Sequence, residues 1–535
     1  MVTTIPLADD WPFASVFMQL DVRAVYDSNG DGIGDLPGLA AKLDHFQEVG
    51  VGALHLVGTQ PSDLAYGGTM LTDFYSVEPK FGTLADFDRL VEAAHARGIA
   101  ILITWSPFST HPDHPYFLAS RDPLHPDHAD FRDYYLWTED VNTRLPRRWG
   151  HWEWDERRGA YHHTVWLTTD LRWCPEVNLL SARARAENEK ALRFWLDRGV
   201  DGFMIDCAVW GGFTSRADHV AFSQAMTAMA HGYPGRKWLI SEGSRSIQEA
   251  IVTDGYDSFF SNQARSVPVY ATAFRKPGLG DLVEFFPGME SHGIHEALLA
   301  YYDDEHGHQI MNMYDPRERL DLGKPEDVAR AKLAHALHLS LPLIPYAVFP
   351  SHTGFTPAYH QRLTTWHPFV MLWDEGPNFG FTTGTPFAPQ NVEGYPASAH
   401  AAAQLRDPNS ILWAFREVAQ ARQAHPALQS RGPAGETYAR VPTSDDRNHY
   451  AYMRYHPESG EAIAVVTNLL GEARTLTLDL GRSRRAIELA RGRRRLVRLV
   501  GGGPERLALD TAGQGRLELP PFGYAYYDLR DEDHD

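Results

Sequence analysis

Three features of the 535-residue chain predict an α/β fold, a (β/α)8 (TIM) barrel interrupted after its third strand and followed by an antiparallel domain. Short apolar runs alternate with amphipathic helical stretches from the amino terminus to about residue 430, the pattern of a parallel sheet buried on both faces. The alternation lapses once, over a Pro-, His- and Trp-rich stretch at 107–180. Beyond Gly432 the period becomes β-type, and no room for a helix is expected. The predicted boundaries are therefore 1–106 and 181–431 for the barrel, 107–180 for the insertion and 432–535 for the carboxyl-terminal domain.

Taken in order, "SVFMQLDV" reads as strand one, followed by a helix over "LPGLAAKLDHFQEVG". "GALHLVG" and "IAILITWS" are strands two and three, with the helix "LADFDRLVEAAHARG" between them. After the insertion come the helix "SARARAENEKALRFWLDRG" and strand four, "GFMIDCA". "KWLISEG", "DSFFS", "IMNMYD" and "LIPYAVF" complete the eight. The carboxyl-terminal runs are "AIAVVTNLL", "RTLTLDL" and "YAYYDL", with an acidic tail "DEDHD".

Composition excludes several classes. A net charge of −19 argues against nucleic acid or an anionic membrane as partner, and no run is long enough to span a bilayer. The basic run Arg491–Arg498, "RGRRRLVR", reads as a solvated strand face. Two cysteines, Cys174 and Cys207, supply no disulfide framework, and "MVTTIPLADDWPF" lacks the regions of a signal peptide, so the expected address is cytoplasmic. Cys207 follows Asp206 on a strand and should face the helices as a packed thiol. The echo "HPDH", at His111–His114 and His125–His128, reads as loop chemistry rather than a metal site.

The segment "YDSNGDGIGDL" places oxygen ligands at alternate positions: Asp27, Asn29, Asp31, the Ile33 carbonyl and Asp35. Like charges this close repel, and a hard cation removes that cost, so bound structural calcium is expected. Gly32 supplies the sharp turn, while Gly38 stands where an EF-hand has its glutamate. The alternative is a solvated turn, with Asp35 as N-cap of the helix that follows.

Chemistry in such a barrel lies at the carboxyl ends of the strands. There stand Asp206 after "GFMI", Glu242 after "LIS" and Asp315 after "MNMY". Singly, each acid could be a helix cap or an ion-pair partner. Together, over one mouth, they match a retaining glycosidase. That chemistry needs an ionised nucleophile and a protonated acid about 5 Å apart, their protonation states set by burial and mutual repulsion.

With these acids in view the chain resembles the alpha-amylase family of glycoside hydrolases, in the branch of oligo-1,6-glucosidases, alpha-glucosidases and trehalose synthases. The resemblance runs nearly end to end, through "DSNGDGIGDL", "VEPKFGTLADFDRLVEAAHARGI", "HPYFLASRDP", "LRFWLDRGVDGF", "MLWDEGPNFGFT" and "DPNSILWAFREVAQARQAHPAL". It implies an inserted domain after strand three, a carboxyl-terminal β-sandwich, a small carbohydrate substrate and no organic cofactor. It further implies Asp206 as nucleophile, Glu242 as acid/base and Asp315 as the aspartate that stabilises the transition state.

Around the reacting subsite the sequence departs from the family. A Tyr-Asp pair is replaced by Thr69 and Met70, the Asn-His of "PNHTS" by Phe108 and Ser109, and the aspartate of strand three by Thr104. Met204 stands for the arginine two before the nucleophile, Tyr314 for the histidine before the last aspartate, and "PSHTG" for a Gly-Asp/Glu-Glu sequence. Losing that arginine alone removes a charge-assisted partner worth roughly 1.5–3 kcal/mol. The substrate-binding candidates are thus Thr69, Met70, Trp105, Phe108, Ser109, Met204 and Tyr314; Trp105 either packs in the barrel or stacks on a sugar. Two functions compete: a retaining hydrolase or transglycosylase with a remodelled subsite, or a weak or inactive relative that binds a sugar or a protein. Substrate, linkage and oligomeric state are not fixed by the sequence.

Overall fold

A computed structural model describes residues 7–63, 68–143, 150–168, 170–206, 215–242, 248–260, 311–314, 321–355, 369–388, 396–432 and 434–531. Eight parallel strands form one sheet: β1 (Val16–Asp21), β2 (Val51–Val57), β3 (Ala100–Trp105), β4 (Gly202–Ile205), β5 (Trp238–Glu242), β6 (Ser258–Phe260), β7 (Met311–Tyr314) and β8 (Ile344–Val348). Their order is 6-5-4-3-2-1-8-7, and β6 and β7, at its two ends, lie beside each other to close the ring. Side chains alternate between two packed layers. Phe17, Ala53, Leu102, Met204, Ile240 and Tyr346 belong to the cluster inside the ring. Their strand neighbours, such as Met18, Leu54, Ile103, Phe203 and Leu239, belong to the layer beneath the helices.

The helices follow from caps and stripes. In Leu84–His95 (α1), Thr83 and Asp86 form a reciprocal capping box, and Phe87, Leu90, Val91 and Ala94 face the sheet. The first predicted helix is broken: Leu36–Ala41 and Leu43–Glu48 meet at Lys42, whose φ of −105° and ψ of 4° leave the helical region. Between β3 and the helix Ala182–Leu196 (α2) the chain leaves the barrel. It forms two short helices and an antiparallel sheet of Trp137–Thr138, Ala160–Leu167 and His151–Asp155, with Trp173–Pro175 on Ala160–Leu167. Both "HPDH" segments make the same turn, in which the Asp113 and Asp127 amides donate to His111 Nδ1 and His125 Nδ1.

The carboxyl-terminal domain is a six-stranded antiparallel sheet facing a two-stranded one, Arg474–Asp479 with Gln514–Leu519, across a shared apolar core. Contrary to expectation it contains a helix, Arg484–Ala490: Ser483 caps it, and Ala486, Leu489 and Ala490 form its buried stripe. Of the basic run, Arg491 and Arg494 are exposed, as expected for a solvated face, but Arg493 is not free. Its guanidinium donates to the carbonyls of Ala490, Leu529 and Gly460.

The seam between barrel and carboxyl-terminal domain is held by two fully buried arginines. Arg422, on the helix Ile411–Ala424 (α3), donates to the carbonyls of Leu339, Leu428 and Phe13 and to Ser430 Oγ. Arg454 donates to the carbonyls of Ser340 and Gln429. A carbonyl that loses such a donor inside the protein also loses access to water. Arg422→Met therefore lowers unfolding free energy by on the order of 3 kcal/mol, read as a lower urea midpoint at unchanged slope.

Candidate active site

Met204 and Ile240 point into the ring, so the two-residue strand period also turns Asp206 and Glu242 inward, one layer higher. Ile205 is paired with Ser241, which sets Asp206 opposite Glu242 one residue further on. Adjacent strands lie about 4.8 Å apart, which puts these two side chains within reach of each other; a nucleophile and its acid/base partner need about 5–5.5 Å. The Asp206 amide donates to the Trp105 carbonyl at 3.0 Å, fixing the turn that follows β4. Both acids are partly exposed, whereas Met204 below them is 6% exposed and Ile240 fully buried. Asp315 lies outside the described residues, as does Cys207; Tyr314 is the last residue of β7.

The remaining candidates separate into two groups. Thr69, Met70, Phe108 and Ser109 cluster at the root of the inserted domain, all buried. Ser109 Oγ lies 3.7 Å from Met70 Sδ, and the Phe108 ring is parallel to that of His219 at 6.5 Å. Trp105 does not face a sugar. It is fully buried in the layer beneath the helices, its indole N–H donating to Asn188 of α2 at 3.2 Å and its ring against Phe74. The reason is parity: Thr104 points into the ring, so Trp105 points out of it.

Sequence reading missed a polar chain crossing the ring below the acids. His55 Nε2 lies 2.9 Å from Thr104 Oγ1, His55 Nδ1 lies 2.5 Å from the Tyr346 hydroxyl, and that hydroxyl donates to Gln19 Oε1. One assignment satisfies every contact: Thr104 donates to Nε2, Nδ1–H donates to Tyr346, and Tyr346 donates to Gln19. Burial alone holds His55 at a pKa of about 3, so the chain is neutral. The available signal was three polar residues at inward positions of otherwise apolar strands.

The acidic loop lies outside the ring. Asp27 accepts from the amides of Asn29, Gly30 and Gly32 and from Thr382 Oγ1. Burial opposes its ionisation, but Thr382 and those amides outweigh burial and hold its carboxyl below the ordinary value. Asp35 accepts from Ser28 and, as the expected N-cap, from Gly38. Asp27 and Asp35 are each 3% exposed and have no cationic side-chain partner among the described residues, a surplus of buried negative charge that suits a cation. No three His, Cys, Asp or Glu side chains among the described residues converge as a metal cluster.

The alpha-amylase catalytic-domain profile matches residues 20–231. The oligo-1,6-glucosidase of Parageobacillus thermoglucosidasius is 25% identical over 86% of this chain and 90% of its own. The trehalose synthase/amylase of Mycolicibacterium smegmatis is 29% identical over 79% of this chain and 78% of its own. Residues 20–231 thus match the alpha-amylase catalytic domain, and the chain is similar to alpha-amylase-family enzymes along most of its length. Its fold matches the crystal structure of the alpha-amylase from H. orenii with a TM-score of 0.75 at 22% identity, over 96% of this chain and 99% of that one. The alpha-glucosyl transfer enzyme XgtA gives 0.74 at 22% identity, over 98% and 100%.

Buried neutral histidines give the protein a characteristic acid response. Burial holds His55, His45 and His114 at about 3 and His335 and His162 at about 4. The unfolded chain takes up these protons near pH 6.5 and the folded chain does not, so stability is present above 6.5 and falls as pH drops toward 3–4. His231 and His425, hydrogen-bonded to Asp257 and Glu461, shift upward and offset part of the loss. Unfolding free energy measured by urea between pH 7 and 4.5 should fall steeply. In His55→Gln the slope should be shallower by about one proton, roughly 1.4 kcal/mol per pH unit.

Proposed function

We propose that the protein is a retaining alpha-glycoside hydrolase or transglycosylase acting on a small carbohydrate. Asp206 attacks the anomeric carbon, and Glu242 protonates the departing oxygen, then takes a proton from the incoming water or sugar hydroxyl. Asp315 is assigned to charge stabilisation in the transition state. The observation that carries the reading is the β4–β5 register, which sets two partly exposed carboxyls side by side above a buried apolar layer. The oligo-1,6-glucosidase and trehalose synthase/amylase relatives support alpha-glucosyl chemistry. Asp206→Asn should abolish turnover of an alpha-linked disaccharide panel with unchanged unfolding. Glu242→Gln should retain glycosyl-enzyme formation only from activated donors such as glycosyl fluorides, whose leaving group needs no proton. Full turnover by Asp206→Asn would refute the assignment.

The subsite that holds the reacting ring is assigned to Thr69, Met70, Phe108, Ser109, Met204 and Tyr314. Apolar groups at Met70, Phe108 and Met204 suit a less hydroxylated ring or a differently shaped one. The competing reading, a relative that binds sugar without turnover, draws on the burial of the first five of these residues. Against it stands the exposure of both acids. Met204 is packed between β3 and β5, so Met204→Arg should give little glucosidase activity. A gain of a thousandfold, about 4 kcal/mol, would mean an intact glucose subsite with one missing part.

Structural calcium is assigned to Asp27, Asn29, Asp31, Asp35 and the Ile33 carbonyl, and a cytoplasmic address fits a chain of 535 residues with only two cysteines. Chelator should lower the thermal midpoint and calcium should restore it. An unchanged midpoint would remove the metal from the account.

A further inference from the structure

A cleft of about 560 Å³, whose lining includes neither Asp206 nor Glu242, lies at the seam between the barrel's helices and the carboxyl-terminal domain. One wall is the start of the helix Pro325–Ser340 (α4) with the loop Asp407–Asn409; the other is the turn Gly501–Gly502 and the loop Pro520–Tyr524. Its size falls within the roughly 300–1,000 Å³ of small-molecule sites.

The polar groups in it are few and convergent. Tyr524 is 6% exposed and lines the cleft, and its hydroxyl has no partner among the described residues. Burial, reinforced by the Glu417 carboxylate, pushes that phenol up, so it stays a donor. Lys332 uses one of its three N–H groups on the Asn409 carbonyl at 3.2 Å. Burial lowers its pKa, with Glu417 and then Asp407 acting in opposition. The apolar surface comes from Pro520, Pro521 and Phe522 on one wall and from Leu322, Val328 and Ala329 on the other. Phe522 holds a φ of 50°; its amide donates a hydrogen bond to the Leu470 carbonyl, and the Arg330 guanidinium lies 4.6 Å from its ring centre.

One ammonium against two carboxylates disfavours an anion, and the mixture of donors and acceptors beside a flat apolar wall disfavours a hydrocarbon. We infer that this cleft is a second carbohydrate site, taking a short neutral oligosaccharide with Tyr524 and Lys332 as donors and Glu417 as acceptor. The choice of a sugar over another neutral polyol rests on the function proposed above.

The test uses the full chain carrying Glu242→Gln, so that no probe is consumed. Maltotriose, isomaltotriose and trehalose are titrated while hydrogen–deuterium exchange is followed by peptide. At least one should protect residues 322–332 and 517–525 saturably. Ala329→Trp, which fills the cleft, should abolish that protection, and Tyr524→Phe should weaken it about tenfold, both with unaltered turnover in the parent enzyme. Three results overturn the site: no protection of these peptides by any of the three sugars, protection that survives Ala329→Trp, or tighter binding of glucose 6-phosphate than of the neutral sugars. The two readings fail separately: an inactive protein that still protects these peptides loses only the catalytic assignment, and an active one that does not loses only the cleft.

Discussion

A strand in a closed parallel barrel has one row of side chains for the ring and one for the helices, and the rest of this molecule is arranged around that division. Met204 and Ile240 fill the ring, and the next inward residues, Asp206 and Glu242, are the first to reach solvent. Their proximity needs no long-range contact. It follows from a β4–β5 register that is itself fixed by which residues are apolar, because a slip of one residue would put Phe203 and Leu239 inside and the two acids among the helices.

The same division makes polar residues inside the ring costly. Gln19, His55, Thr104 and Tyr346 are tolerated because each donor meets an acceptor in one directional chain, and a chain with a missing member would leave a buried group unpaired at about 1–3 kcal/mol. Neutrality is the further condition. An imidazolium here would need a counter-charge, and the ring offers Met204 where an arginine or carboxylate network could otherwise stand. The floor beneath Asp206 and Glu242 is therefore uncharged. Under the catalytic reading proposed above, electrostatic support for the transition state comes from the rim and from the two acids themselves.

All eight strands were legible because each is an apolar run between turn residues, and the positions of Asp206 and Glu242 were legible because they end such runs. The helix Arg484–Ala490 was not, because arginines occupy its exposed face and its buried stripe is only Ala486, Leu489 and Ala490. Trp105 could have been placed: the period argument that turns Cys207 away from Asp206 also turns Trp105 away from Thr104. The break at Lys42 carries no proline or glycine to mark it. There the lysine side chain lies over the rings of Tyr26 and Trp373, at 4.4 and 4.3 Å, and the second contact joins distant segments in a way that no local pattern encodes. The seam arginines are hidden for the same reason. Arg422 and Arg454 read as surface residues until the carbonyls they serve are brought to them by the fold.

That seam also ties the two ends of the molecule's chemistry together in position. Helix α4 begins in the wall of the cleft, at Pro325, and ends at Ser340, whose hydroxyl meets that of Tyr452 in the carboxyl-terminal sheet at 2.6 Å. Near its end, His338 Nε2 accepts from the amide of Tyr346, whose side chain belongs to the polar chain inside the ring. A helix of 16 residues spans about 24 Å at 1.5 Å per residue and behaves as a rod. Lys332 in the cleft and Tyr346 in the ring are thus placed by one stiff element. The carboxyl-terminal domain, through Tyr452, Arg454 and the Tyr526 hydroxyl on the Ala336 carbonyl, grips that element along its second half. Docking the domain therefore sets the axial position of α4, and with it the height of Tyr346 beneath Asp206 and Glu242.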